Sequence, residues 1–167
     1  GVFTRAEEIG LCGAILLAEA GTLPKDAIVV SLETSKELPG ALMGEGPVIR
    51  VGDRSTSFSP EGEAVLLVAR AKLQSADPAA KVQRRLMDGG TCEATAFWMR
   101  GYKATGVALP LGNYHNVGAA PDGSPLLSPE YVSASDLNGT VELPAQNNRR
   151  MTLGISGTLG NPKTRLL

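Results

Sequence analysis

The sequence predicts an α/β sandwich built on a mixed, mostly parallel sheet flanked by helices, and two observations carry that expectation. First, Ala27-Ile28-Val29-Val30-Ser31-Leu32 is a nearly continuous apolar run. Its length and β-branching suit a strand covered on both faces, as parallel strands are. Second, strand-like and helix-period segments alternate along the chain, the pattern of a sheet packed between helices.

Val2-Phe3-Thr4 reads as the end of a strand. Ala6 to Ala20 then reads as a helix, with apolar Ile9, Leu11, Ile15, Leu16 and Leu17 and a stop at Gly21. After the apolar run, Pro47-Val48-Ile49-Arg50-Val51 is a second short strand. Ser59-Pro60-Glu61 opens a helix, with Ser as cap and Pro in the first turn, that runs to about Ser75. Lys81 to Met87 fits a strand or a helix turn, Gly89-Gly90-Thr91 a turn, and Cys92 to Gly101 a short helix. Thr105 to Leu109 is a strand ending at Pro110. Ser128-Pro129-Glu130 opens like a capped helix, but Asn138-Gly139, Pro144 and Asn147-Asn148 oppose its continuation. The expected division is therefore a folded unit over residues 1–142 and an irregular or mobile tail over 143–167. No internal repeat or low-complexity tract is present.

The bulk properties narrow the function classes. A chain of 167 residues with 43% hydrophobic and 20% charged residues suits one domain with a real core. A formal net charge of -1 argues against nucleic acid or a membrane surface as partner. No apolar run approaches the ~20 residues of a membrane helix; the longest, Leu11 to Ala20, is broken by Gly13 and Glu19. Cys12 and Cys92 make no disulfide framework, which points to a reducing, cytoplasmic compartment.

Four segments could carry chemistry. Glu7-Glu8 stands where a helix begins. The pair is either an N-terminal charge bias favoured by the helix dipole or a general base beside a metal ligand. Glu33 ends the most apolar strand, where α/β sheets place their sites; an ordinary charged strand exit reads as well. His115 is the only histidine, so any metal site must be rich in carboxylates and assembled from distant segments. Gly89-Gly90-Thr91 offers either a plain turn or backbone donors for an oxyanion. Cys92 could be a reactive thiol at a helix start, paired in principle with His115, though nothing supplies a third, orienting group.

Together these segments resemble the glutamyl-aminopeptidase-type metallo-aminopeptidases, the tetrahedral-shell branch of the two-metal zinc peptidase clan. The carrying residues are Ala6-Glu7-Glu8-Ile9-Gly10-Leu11 with Gly13-Ala14, then Glu33, then Gly89-Gly90-Thr91, then Leu109-Pro110-Leu111-Gly112-Asn113-Tyr114-His115-Asn116. Their order and rough spacing match from Glu7 to about Leu137. The resemblance implies a zinc-peptidase/phosphorylase-like sandwich, present as the C-terminal part of the catalytic domain and incomplete at its N-terminal side. It implies hydrolysis of N-terminal peptide bonds by a metal-activated water. Glu7 would be the catalytic general base; Glu8, Glu33 and His115 would bind metal; Gly90 and Thr91 would serve the substrate or oxyanion. The implied cofactors are two divalent ions, zinc first, with cobalt or manganese as alternatives. The implied partners are a peptide substrate, the N-terminal portion or a second chain, and further subunits of a homo- or hetero-oligomer.

Three departures from the family pattern qualify this. Family members carry a His-x-Asp segment, a bridging acid and, in the tetrahedral-shell branch, a small dimerisation domain upstream of the acid pair; this sequence opens six residues before Glu7. Cys92-Glu93 stands where Asp is common after Gly-Gly-Thr, and the tail after Asp136 does not read as the family's terminal helix. The 167-residue chain alone is therefore expected to have little peptidase activity. Two alternatives remain: a non-catalytic fragment or binding subunit that keeps the fold, and a related amidohydrolase acting on acyl-amino acids.

Overall fold

The computed structural model describes residues 1–146 in full and the backbone of residues 152–155. Its elements in chain order are β1 (Val2–Phe3), α1 (Cys12–Glu19), β2 (Ile28–Lys36), β3 (Val48–Asp53), α2 (Pro60–Ala76), β4 (Gln83–Met87), α3 (Glu93–Trp98) and β5 (Lys103–Gly112). A 3-10 turn (Tyr114–Asn116), β6 (Val117–Ala119), β7 (Pro125–Leu127), β8 (Tyr131–Val132), α4 (Ala134–Ala145) and β9 (Thr152–Ile155) follow.

Seven of these strands form one sheet in the order β1-β9-β2-β5-β3-β4, with β8 added at the end of β5. The pairs β1·β9, β9·β2, β2·β5 and β3·β4 are parallel, whereas β3·β5 and β5·β8 are antiparallel. The sheet is thus mixed and mostly parallel, as expected. The central pair, β2 and β5, stays in register from Ile28 opposite Lys103 to Lys36 opposite Leu111.

Side-chain alternation along β2 divides the core into two layers. Val29 packs with Ala14 and Ala18 of α1 and Ala94, Ala96 and Phe97 of α3. Val30 and Leu32 pack with Leu66, Ala69 and Leu73 of α2 and Leu143 of α4. A strand sandwiched this way has no solvated face, which explains the unbroken apolar run.

Several local expectations change. Helix α1 begins only at Cys12, because Ala6 and Leu11 both take left-handed backbone angles, with φ 59° at each. Glu7 and Glu8 therefore sit in a turn before the helix and not in its first turn. Lys81 to Met87 resolves as strand, with β4 beginning at Gln83. Strand β5 continues through Pro110, whose missing N–H faces neither β3 nor β8, since their pairings stop at Ala108 and start at Leu111.

The largest correction is α4. Ser133, and not Ser128, caps it, accepting at Oγ from the Asp136 N–H at 3.4 Å. The helix passes through Asn138-Gly139 and reaches Ala145, so neither the irregular tail from Leu143 nor the absent terminal helix holds for those residues. Burial of Leu143 contributes about 1.5–3 kcal/mol, more than the ~1 kcal/mol that a helical glycine costs. Gly139 is also required for packing: a Cβ there would lie 2.9 Å from Pro47 Cδ. Thr152–Ile155 pairs as a strand with β1 and β2. The rest of the expected tail, 147–151 and 156–167, lies outside the described residues.

Candidate active site

A cleft of ≈ 530 Å³ opens among residues that include the ends of β2 and β5. Glu7, Glu8, Glu33, Gly90, Thr91 and His115 all line it, so every site residue expected from the sequence reaches one place.

The acid pair is held by its own backbone turn. The Glu7 carbonyl accepts from the N–H groups of Gly10 at 3.1 Å and Leu11 at 2.9 Å. Cys12 N–H donates to Ala6 O, and Gly13 N–H donates to Arg5 O at 2.9 Å. This close wrap needs glycine at position 13, because a Cβ there would stand 2.5 Å from Arg5 O and 2.6 Å from Arg5 N. The Glu7 side chain is half-buried while Glu8 is exposed. Burial pushes the Glu7 carboxyl above its ordinary 4.5, Glu8 and then Glu93 push the same way, and His115 and Arg50 pull it back. A carboxylate poised this way is a stronger base than a solvated one.

His115 sits in the 3-10 turn with φ 59°, a left-handed angle unusual for a residue with a side chain. Its N–H donates to Glu130 Oε1 at 2.8 Å, and its ring stacks on Tyr114 with centroids 3.9 Å apart. Strain held at a cleft-facing histidine is the kind found at functional sites. The Tyr114 hydroxyl is pushed up from 10.0, by burial first and then by Glu8, Glu7 and Glu130. The acid pair and the His115 turn thus share one electrostatic neighbourhood.

Glu33 is differently placed. Its Oε1 is ion-paired with Nη1 of Arg50, a residue only 2% exposed. Ser35 Oγ donates to the same oxygen at 3.0 Å and accepts from Arg50 Nη1 at 3.4 Å. Arg50 also lines the cleft, and its positive charge reaches Glu7 and Tyr114. The sequence did carry a signal for it, a lone arginine inside the apolar strand Pro47 to Val51. Charged residues on such strands are rarely buried unless paired. Glu130 and Ser35 gave no comparable signal.

Thr91 Oγ1 shares a hydrogen bond of 2.6 Å with Ser55 Oγ, and the Gly90 carbonyl accepts from Arg54 N–H. Cys92 is fully buried and its thiol is pushed up by that burial, so it is a core residue and not a reactive partner for His115. Both cysteines are free thiols. Among the described residues no group of three or more His, Cys, Asp or Glu side chains is placed to hold a metal ion. No helix among them is long and apolar enough to cross a membrane.

A mostly parallel sheet lies between helices, and an acid pair and a histidine converge on a cleft, which makes the chain an α/β sandwich with a candidate active site. The chain belongs to the M42 glutamyl aminopeptidase family, whose model matches residues 1–120. Solved structures agree. The PhTET1-12s dodecamer is 26% identical with a TM-score of 0.59, covering 86% of this chain and 39% of that one. The aminopeptidase APDkam598 of the archaeon Desulfurococcus kamchatkensis is 25% identical with a TM-score of 0.57, covering 86% and 38%. The TET aminopeptidase of the marine sediment archaeon Thaumarchaeota archaeon SCGC AB-539-E09 shares the fold at 23% identity and a TM-score of 0.61, covering 86% and 37%. The chain thus spans less than two fifths of the length of these relatives. No curated protein matches it.

The M42 family implies divalent-metal dependence, and the described residues fit that only partly. Glu8 and His115 face the cleft with suitable donor atoms. Glu33 Oε1 is committed to Arg50, and the described residues do not assemble a metal centre by themselves.

Proposed function

We propose that the chain is the C-terminal part of the catalytic domain of a metal-dependent aminopeptidase that hydrolyses N-terminal peptide bonds. The observation that carries this is the convergence of Glu7, Glu8 and His115 on one cleft within an M42 fold. Glu7 takes the proton of the attacking water and delivers it to the leaving amine, a role its burial favours. Glu8 and His115 supply metal-binding donors, zinc being the first choice, and Gly90 and Thr91 border the substrate. The protein works as a homo-oligomer, a reading supported by the dodecameric PhTET1-12s.

The test is hydrolysis of aminoacyl p-nitroanilides by the intact natural protein, with and without Glu7→Gln. Loss of a general base lowers turnover roughly 100- to 10,000-fold. Wild-type rates in Glu7→Gln would refute the base assignment. A second reading, a non-catalytic domain that keeps the fold, is favoured by the Arg50–Glu33 pair. It predicts no turnover in the wild-type protein under any metal supplement.

A further inference from the structure

Arg50 is the most deeply buried charge at the cleft, and the proposed hydrolysis does not use it. It leaves β3 opposite Gly106 of β5, and Gly106 in turn stands opposite Ser31 of β2. The side chain then crosses the middle strand to reach Glu33, two residues beyond Ser31 on β2. Gly106 makes the crossing possible: a Cβ there would meet Arg50 Cδ at 3.1 Å and Arg50 Cβ at 3.6 Å. At the end of the path, Arg50 Nη1 and Ser35 Oγ both engage Glu33 Oε1. Among the described residues Arg50 Nε is buried without a hydrogen-bond partner, so the guanidinium is held here at the cost of an unsatisfied donor.

This arrangement conflicts with a metal at Glu33. The Arg50 guanidinium sits against the Glu33 carboxylate and offsets its charge. A divalent ion on the same carboxylate would sit beside that fixed positive charge, in a buried setting where repulsion is poorly screened. Glu33 Oε1 is already engaged by the Arg50 guanidinium and the Ser35 hydroxyl, which leaves only the second carboxylate oxygen to a metal.

We propose that the Arg50 guanidinium is a built-in cation that takes the charge-balancing place of a divalent ion beside Glu33, so that this cleft binds no metal through Glu33. Metal uptake, where it occurs, runs through the Glu8 and His115 side of the cleft. The inference rests on the Arg50–Gly106–Glu33 geometry and not on the proposed hydrolysis. A peptidase assay and a metal titration can therefore fail separately.

The test is calorimetric titration of the intact natural protein with Zn²⁺ and with Co²⁺, comparing wild type, Glu33→Gln and Arg50→Met. Loss of a metal's ligand, or even of a group that orients one, lowers affinity by about 10-fold or more. The expected result is that Glu33→Gln changes metal affinity by less than about 10-fold. Arg50→Met, which releases Glu33, is expected to take up one more ion than wild type. A Glu33→Gln affinity loss of about 10-fold or more would overturn the proposal. So would a folded Arg50→Met that gains no ion. If Arg50→Met does not fold, the Glu33→Gln comparison decides alone.

Discussion

Arg50 of β3 lies across Gly106 of β5 and pairs with Glu33 of β2, so one ion pair ties three adjacent strands together at the edge of the cleft. The crossing strand carries a glycine at that register, where a Cβ would stand 3.1 Å from Arg50 Cδ. This relationship sets the first two predictions.

Gly106→Val places branched carbons where Arg50 passes, 3.1 Å from its Cδ at the Cβ position alone. Overpacking of this kind costs about 1–3 kcal/mol. Thermal unfolding should show a lowered midpoint for Gly106→Val and a smaller shift for Gly106→Ala. Equal midpoints for all three proteins would mean that Arg50 has another path.

Arg50→Met leaves Glu33 as an uncompensated charge beside the core, whereas Arg50→Met with Glu33→Met removes both charges. Breaking one side of a buried pair costs about 3–5 kcal/mol, while replacing both with apolar groups is often neutral. Denaturant unfolding should therefore find the double variant more stable than Arg50→Met. The opposite order would show that the pair contributes little.

Gly13→Ala drives a methyl into Arg5, 2.5 Å from its carbonyl oxygen, and so pushes away the turn that carries Glu7 and Glu8. A stability loss of about 1–3 kcal/mol is expected. Trypsin should also cut after Arg5 faster in the variant than in wild type, because the Arg5 carbonyl loses its bond from Gly13. Unchanged cleavage would indicate that the turn tolerates the methyl.

Glu93 is 1% exposed, and burial pushes its carboxyl above 4.5, opposed by the hydrogen bond from Thr4. The folded state therefore binds its proton more tightly than the unfolded state does. Its contribution to stability is fully present below about pH 4.5 and is lost as pH rises through the elevated folded value. Glu93→Gln should flatten that part of the stability–pH curve and be relatively more stable at neutral pH. A curve parallel to wild type would place the titrating group elsewhere.

Leu143→Ala should lower stability by about 2–5 kcal/mol, the range for emptying a fully buried leucine site. A loss below ~0.5 kcal/mol, typical of surface positions, would return this segment to an irregular tail.

The local sequence determined much of this protein. The β-branched run from Ala27 to Leu32 specified a strand buried on both faces, because no polar alternation was available to solvate one side. Ser59-Pro60 specified the start of α2, since a serine oxygen and a proline ring suit only that end of a helix. The order of Glu7-Glu8, Glu33, Gly90-Thr91 and His115 marked the cleft, and all of them line it. Tertiary structure alone decided the rest. Asn138-Gly139 opposes a helix locally, but Leu143 in the core and Pro47 against Gly139 outweigh that preference. Glu33 stands at a strand exit, where the sequence leaves a site residue and an ordinary charge equally open, whereas the structure pairs it with Arg50, 17 residues away in sequence on a strand that arrives antiparallel. Which carboxylate meets a guanidinium depends on register across three strands, and register is set by packing that no single segment contains.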